Sequence, residues 1–329
     1  MSATTVKSDT LLDVRDLRVA YREERRIVPI VDGVSFQLRR GEALGLAGES
    51  GCGKTTTALA LLGLLPSGLR RIGGEMTINS KRGVMLLHRR TPTGWRDMRW
   101  ETASMVFQGA MNALDPVMRI DRQIAEAIVL HAPGSDPDPR VAELFERVGI
   151  PAARRKQYPH EFSGGMRQRV MIALALACEP ELIIGDEPTT ALDVMTQGQI
   201  LQLLEELRRD LGLALLLITH DLSVIAETCD RVAVMYAGQI AEQGPVRDIL
   251  ASPQHPYTER LLSGFAHVGG PRTLGEAIPG SPPHPGETFP GCRFAPRCHR
   301  AFADCVQGPP PLITGSTGRE ARCLLARLP

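Results

Sequence analysis

The stretch GESGCGKTT (48–56) decides how this chain is read. It matches G-x-x-x-x-G-K-[ST], follows the apolar run EALGLAG (42–48) and precedes TTALALLGLLP (56–66), a helical stretch that stops at Pro66. Strand, glycine loop and helix in that order are the setting in which the pattern carries its chemistry. Glycines let backbone N–H groups turn towards phosphate oxygens with no Cβ in the way. The helix adds its positive N-terminal end. Gly48, Glu49, Ser50, Gly51, Cys52, Gly53, Lys54, Thr55 and Thr56 are therefore read as a cradle for a nucleoside triphosphate. In it Lys54 reaches the β- and γ-phosphates and the Thr55 hydroxyl ligates Mg²⁺. No base stands beside Cys52 in sequence, so its thiol is read as structural rather than catalytic.

A second apolar run, ELIIGDE (181–187), ends in two carboxylates. Asp186 at the strand end is placed to hold Mg²⁺ through water, and Glu187 to polarise an attacking water. An acidic pair after a strand is ordinary surface when it stands alone; beside the glycine loop it completes a triphosphate-hydrolysing pair.

Around these two stretches, strands and helices alternate. LLDVRDLRVAY (11–21) and VSFQL (34–38) read as strands, and LALLLITHD (213–221) as a buried strand ending in polar residues. VMIALALAC (170–178) is an apolar helix, buried all round. TQGQILQLLEELRRDLG (196–212) sets Ile200, Leu203, Leu204 and Leu207 at helical spacing and stops at Gly212. RVAVMYAGQIAEQG (231–244) reads as a hairpin turning at Ala237-Gly238. Buried strands between helices define an α/β fold with a mainly parallel sheet, whose ligands gather at the C-terminal strand ends.

Composition bounds the rest. The chain has 329 residues, 43% hydrophobic and 23% charged, with a net charge of +1, so no global basic field points to nucleic acid. The opening MSATTVKSDT has no apolar core of a secretory signal, and no apolar run approaches the ~18–20 residues that span a bilayer. A cytosolic chain that meets a membrane through partners is expected. Of 25 prolines, 13 lie in residues 251–329. SPPHPGETFP (281–290) and GPPPL (308–312) exclude helix and central strand, because proline lacks the N–H donor. The expectation is a main domain over 1–250 and a loop-rich accessory domain over 251–329, opened by a short helix in YTERLLSGF (257–265).

HEFSGGMRQRVMIALALACEPELIIGDEPTTALD (160–193) narrows the class. A serine and two glycines opening a basic, apolar helix just before the acidic strand are not needed by a generic P-loop enzyme. They resemble the signature motif of ATP-binding cassette ATPases. Gln108 in MVFQ resembles the Q-loop residue, Ala191-Leu192-Asp193 the D-loop and His220 the H-loop histidine; Tyr21 is placed like the aromatic residue that stacks on adenine. Within that superfamily YPHEFSGGMRQR (158–169), DEPTTALDV (186–194), SPQHPYTERLL (252–262) and GCRFAPRC (291–298) resemble the ATPase subunits of oligopeptide and dipeptide importers. Gly109 departs from the pattern, standing where an acidic residue is commoner.

The resemblance implies a P-loop NTPase of the cassette type. It would have an N-terminal antiparallel β subdomain, a helical signature subdomain at about 110–180 and a small cysteine-containing C-terminal appendage. It implies ATP and Mg²⁺ as ligands, the ion held by Thr55, Gln108 and Asp186, and Glu187 and His220 as the catalytic pair. Ser163, Gly164, Gly165 and Asp193 would meet the ATP of a facing cassette. The implied partners are two transmembrane permeases, a sister ATPase and an extracytoplasmic solute-binding protein, with this chain peripheral on the cytoplasmic face of the cell membrane. The main alternative is a soluble cassette ATPase acting on ribosomes or DNA. Such proteins usually carry two cassettes or a long coiled-coil insertion, and this chain has neither. A small-molecule kinase would leave SGG, Gln108 and His220 unexplained.

Four of the seven cysteines, Cys292, Cys298, Cys305 and Cys323, fall in the last 38 residues. Their wide gaps are unlike the C-x₂₋₄-C knuckles of zinc sites. Four thiolates match one [4Fe–4S] cluster, which some of the resembling importer ATPases carry. The expectation is an iron–sulfur cluster that staples the appendage, with Zn²⁺ or four unliganded thiols packed in a small fold as the alternatives.

Overall fold

The computed structural model describes residues 9–23, 26–109, 113–131, 134, 136–190, 192–264 and 278–327. In chain order the elements are β1 (Thr10–Glu23), β2 (Arg26–Arg39), β3 (Ala43–Ala47), α1 (Lys54–Leu61), β4 (Leu69–Ser80), β5 (Gly83–Leu86), α2 (Pro92–Met98) and β6 (Ala103–Val106). There follow α3 (Ile120–His131), α4 (Pro137–Arg147), α5 (Gly164–Ala175), β7 (Leu182–Asp186), α6 (Val194–Leu211), β8 (Ala214–Ile218) and α7 (Leu222–Thr228). The last are β9 (Arg231–Tyr236), β10 (Gln239–Pro245), α8 (Val246–Ala251), α9 (Pro256–Ser263), β11 (Ile313–Thr314) and β12 (Glu320–Ala321).

The chain divides into two compact units, each assembled from separated segments. The first takes residues 1–11, 38–42 and 78–217. In it β6 pairs parallel with β7, Ala103 opposite Leu182 and Val106 opposite Gly185, and β8 lies on the other side of β7. All three strands are buried along their length, which is why they read as unbroken apolar runs. Helices α3, α4 and α5 pack on one another, and α5 also meets β6 and α6. The apolar helix read over 170–178 begins earlier, at Gly164, because the Ser163 side chain caps it by accepting from the Met166 N–H. Helix α6 buries Ile200, Leu203, Leu204 and Leu207 and closes at Gly212, whose φ of 64° is left-handed.

The second unit takes residues 12–37, 43–77 and 218–329. There β1 lies between β2 and β4, while another sheet runs β11-β12-β10-β9-β3. Strand β3 is parallel to β9, with Leu44 opposite Arg231 and Ala47 opposite Val234. Strands β9 and β10 form the expected hairpin, turning at Ala237 (φ 46°) and Gly238 (φ 82°). The tail then contributes to the sheet: β12 pairs antiparallel with β10, Glu242 opposite Ala321. The proline-rich stretches 281–290 and 308–312 hold no regular element, as the missing N–H donors require. Among the described residues no helix is long and apolar enough to cross a membrane.

Candidate functional site

In the second unit β3 delivers the chain into the glycine loop. Gly48 has φ 146°, and a Cβ there would overlap the Met235 carbonyl oxygen. Only glycine fits this position, so the loop lies flush against β9. Gly51 (φ 81°) faces open space and Gly53 (φ 104°) precedes α1 as its N-cap, with no side chain occupying the helix amides. That leaves a concave run of N–H groups at a helix N-terminus, a ready anion cradle. Lys54 is buried, and its Nζ donates to the Gly48 carbonyl at 2.7 Å and the Glu49 carbonyl at 3.0 Å. Thr57 Oγ1 donates to the Gly53 carbonyl at 2.9 Å, holding the first helical turn to the loop. Ser50 and Thr55 are exposed and Thr56 is half-buried. The Cys52 thiol is buried and its pKa is raised by desolvation, against the opposing pull of Lys54, as a structural thiol should be.

Two further expected residues lie in the same unit. The Thr219 N–H donates to the Leu46 carbonyl at 3.3 Å, and His220 follows it, exposed to solvent. Tyr21 on β1 is exposed, with Gly68 packed so closely beneath its ring that a Cβ there would overlap it.

The first unit brings together the remaining members. Asp186 ends β7 and is buried. Glu187 follows with φ 48°, a strained backbone for a non-glycine residue of the kind that persists at functional sites. Its Oε2 accepts from Gln108 Nε2 at 2.9 Å and from Thr190 Oγ1 at 2.9 Å. The glutamine after β6 and the glutamate after β7 thus touch, because those strands are neighbours. Gly109 has φ 75°, so glycine serves the turn just past Gln108.

At the start of α5, a Cβ on Gly165 would lie 2.5 Å from Thr196 Cγ2, and one on Gly164 would lie 3.7 Å from Leu192 Cδ2. Asp193 caps α6, accepting from the Thr196 N–H at 2.9 Å and Oγ1 at 2.7 Å. Those bonds, the hydroxyl's foremost, hold its exposed carboxyl below the usual range. The serine–glycine stretch and Leu192-Asp193 therefore form one surface, while Ala191 lies outside the described residues.

The iron–sulfur expectation is corrected, and zinc with it. The four C-terminal cysteines do surround one cavity, shared with Phe294, Ala295 and Leu324. All are free thiols, and among the described residues no group of three or more His, Cys, Asp or Glu side chains is disposed to hold a metal ion. Burial raises the pKa of the Cys292, Cys298 and Cys323 thiols. Cys292 and Cys298 pack as small apolar side chains against a core of Tyr236, Tyr257, Phe294 and Ile249. Other interactions do the stapling. The rings of Tyr236 and Tyr257 lie 4.7 Å apart, and Phe294 sits 5.2 and 5.4 Å from them. Three tail arginines bind acids from earlier in the unit: Arg293 to Asp32, Arg297 to Glu49 and Arg319 to Glu242. Nothing in local sequence announced these pairs, since their partners stand 77 to 261 positions away.

A phosphate loop on β3, a glutamate after β7 with a glutamine bonded to it, and a serine-capped glycine pair beside an aspartate-capped helix are the parts of an ATP-binding cassette ATPase. The comparisons agree. The ABC transporter family model matches residues 31–190, and the model for the oligopeptide/dipeptide transporter C-terminal region matches 241–305. The oligopeptide transport ATP-binding protein AppD of Bacillus subtilis is 43% identical over 321 residues, covering 96% of this chain and 97% of its own. The oligopeptide transport ATP-binding protein OppD of Salmonella typhimurium is 45% identical over 320 residues, covering 96% and 94%. Neither description names a metal cluster. A solved post-hydrolysis dimer of the ATP-binding cassette MJ0796, bound to ADP and Pi, shares the fold with a TM-score of 0.63 at 24% identity, over 72% of this chain and 99% of that one. The chain belongs to the ABC transporter family, in its group of oligopeptide transport ATP-binding proteins. It is an ATP-binding ATPase that uses Mg²⁺.

Proposed function

We propose that this chain is the ATP-hydrolysing subunit of an importer of oligopeptides, dipeptides or related small solutes. The reading rests on one conjunction: a full set of cassette motifs joined to a C-terminal region of the oligopeptide/dipeptide type. Residues 1–250 serve as the nucleotide-binding domain and 251–329 as an accessory domain. The glycine loop fits a triphosphate, since Gly48 admits no Cβ, Gly53 has a left-handed φ of 104° that favours glycine, and Gly51 opens on free space. Lys54 counters the phosphate charge, Tyr21 stacks on the base, and Thr55, Gln108 and Asp186 serve Mg²⁺, which polarises the phosphates when bound. Glu187 takes the proton of the attacking water; the Gln108 and Thr190 bonds orient its carboxylate. His220 contacts the γ-phosphate.

Ser163, Gly164, Gly165 and Asp193 serve the nucleotide of a facing cassette, supplied by a sister ATPase. Binding of ATP then favours the closed pair and hydrolysis releases it. Two permeases hold the pair at the cytoplasmic face of the membrane, and a solute-binding protein delivers the cargo. The test is Glu187→Gln in the assembled transporter, with the matching change in any sister cassette. ATP affinity should stay within about threefold of the parent while turnover falls by roughly 100-fold or more. Normal turnover would refute the assignment of Glu187.

A further inference from the structure

The tail reaches the phosphate loop itself. Arg297, 7% exposed, sends both terminal nitrogens to the Glu49 carboxylate, Nη1 to Oε2 at 2.7 Å and Nη2 to Oε1 at 2.9 Å. Its Nε donates to the Pro279 carbonyl at 2.8 Å, and Nη1 also donates to the Tyr236 hydroxyl at 3.3 Å. The guanidinium lies over the Tyr236 ring, 5.8 Å from its centroid. Glu49 is the second residue of the glycine loop, and its backbone is held as firmly as its side chain. Its N–H donates to the Tyr257 hydroxyl at 2.9 Å, and its carbonyl accepts from Lys54 Nζ at 3.0 Å. The same residue is thus fixed from the tail, from α9 and from the loop lysine. The tail also flanks the loop at Gly51, where His284, Pro285 and Arg293 line a cleft with Ile30 and Gly238.

A buried ion pair is a weak device for stability alone, since apolar replacements of like volume often do as well. Its placement argues for another use. A carboxylate one residue from Gly48 sets a negative charge beside the site where the triphosphate binds, and an unopposed one repels it. A bidentate guanidinium cancels that charge and fixes the loop before the ligand arrives, so less ordering is needed on binding. Arginine suits this where lysine would not, because its planar fork matches the carboxylate edge to edge.

We propose that Arg297 is a positioning residue of the ATP site: through Glu49 it neutralises and pre-orders the phosphate loop, making the C-terminal region part of the nucleotide machinery. The proposal rests on the ATPase reading above. The experiment measures binding of Mg²⁺ with a fluorescent ATP analogue to the purified full chain, and KM and kcat for ATP in the assembled transporter. Arg297→Met should raise Kd and KM about tenfold while kcat at saturation changes less than about threefold. Glu49→Gln removes the carboxylate and leaves the guanidinium, so it should tighten ATP binding by about threefold. The double variant should return to within about threefold of the parent.

A pair that serves only to hold the fold would make both single changes weaken binding alike. That outcome overturns the proposal, as does Arg297→Met within about twofold of the parent, or a double variant no better than Arg297→Met. Should Arg297→Met fail to fold by circular dichroism, the opposite shifts expected of Arg297→Lys and Glu49→Gln carry the same test. A parent chain that binds no Mg²⁺-nucleotide would instead overturn the ATPase reading, and the proposal with it.

Discussion

His255 caps α9 and is buried against the Phe294 and Tyr257 rings. Its Nδ1 accepts from the Tyr257 N–H at 3.0 Å, and the Arg322 backbone supplies a further hydrogen bond. A neutral imidazole has one donor and one acceptor, which this setting uses. Protonation would turn Nδ1 into a donor facing another donor, in a pocket where the charge is poorly solvated. Burial accordingly lowers the His255 pKa from 6.5 to about 4, the Arg322 bond opposing it. The unfolded chain then binds the proton first as pH falls. The stability due to neutral His255 is present above the unfolded pKa of 6.5 and drains away as pH falls through it, until the loss levels off near the folded value of about 4. Between about pH 7.5 and about pH 4.5 that loss amounts to roughly 2–3 kcal/mol.

The comparison is His255→Asn, a residue that caps helices well and does not titrate. It adds a pH-independent cost from lost packing, so the difference between the two pH profiles isolates the imidazole. Urea denaturation followed by circular dichroism at both pH values measures it. The parent should lose about 2–3 kcal/mol more than the variant over that interval. Parallel losses, within about 0.5 kcal/mol, would refute the reasoning.

Arg319→Met should cost about 3–5 kcal/mol, because it leaves the fully buried Glu242 carboxyl without its cation. Adding Glu242→Gln should recover most of that in chemical denaturation, since the amide oxygen can still accept one of the Gln254 and His255 N–H bonds. Gly48→Ala should abolish ATP binding in equilibrium titration, because φ 146° and the Met235 carbonyl both exclude a Cβ; near-normal affinity would contradict the loop geometry.

The local patterns were legible because each rests on near neighbours. The apolar runs at 43–47, 182–186 and 214–218 became buried strands. Gly212 ended its helix, and Ala237-Gly238 turned its hairpin. The phosphate loop was legible for the same reason: its chemistry is carried by consecutive backbone groups. Gln108 and Glu187, 79 positions apart, could each be placed in the family pattern, but their mutual bond needed β6 beside β7. Thr190 was the signal overlooked, since it lies three residues past Glu187 and bonds to it.

The tail shows where sequence alone stopped. Cysteine count and proline content identified a segment short of core residues and in need of fastening, and a metal centre was the reading that count suggested. What fastens it was decided only in three dimensions. Phe294 joins Tyr236 and Tyr257, β12 adds to β10, and Arg293, Arg297 and Arg319 find Asp32, Glu49 and Glu242. Cysteine spacing records only what is close along the chain. Which side chains gather around those thiols is set by residues that the fold brings together. The sequence by itself determined the α/β class, the phosphate loop and the family; the tertiary structure decided that the C-terminal region sets an arginine against the phosphate loop, because only folding brings a residue within reach of one 248 positions away.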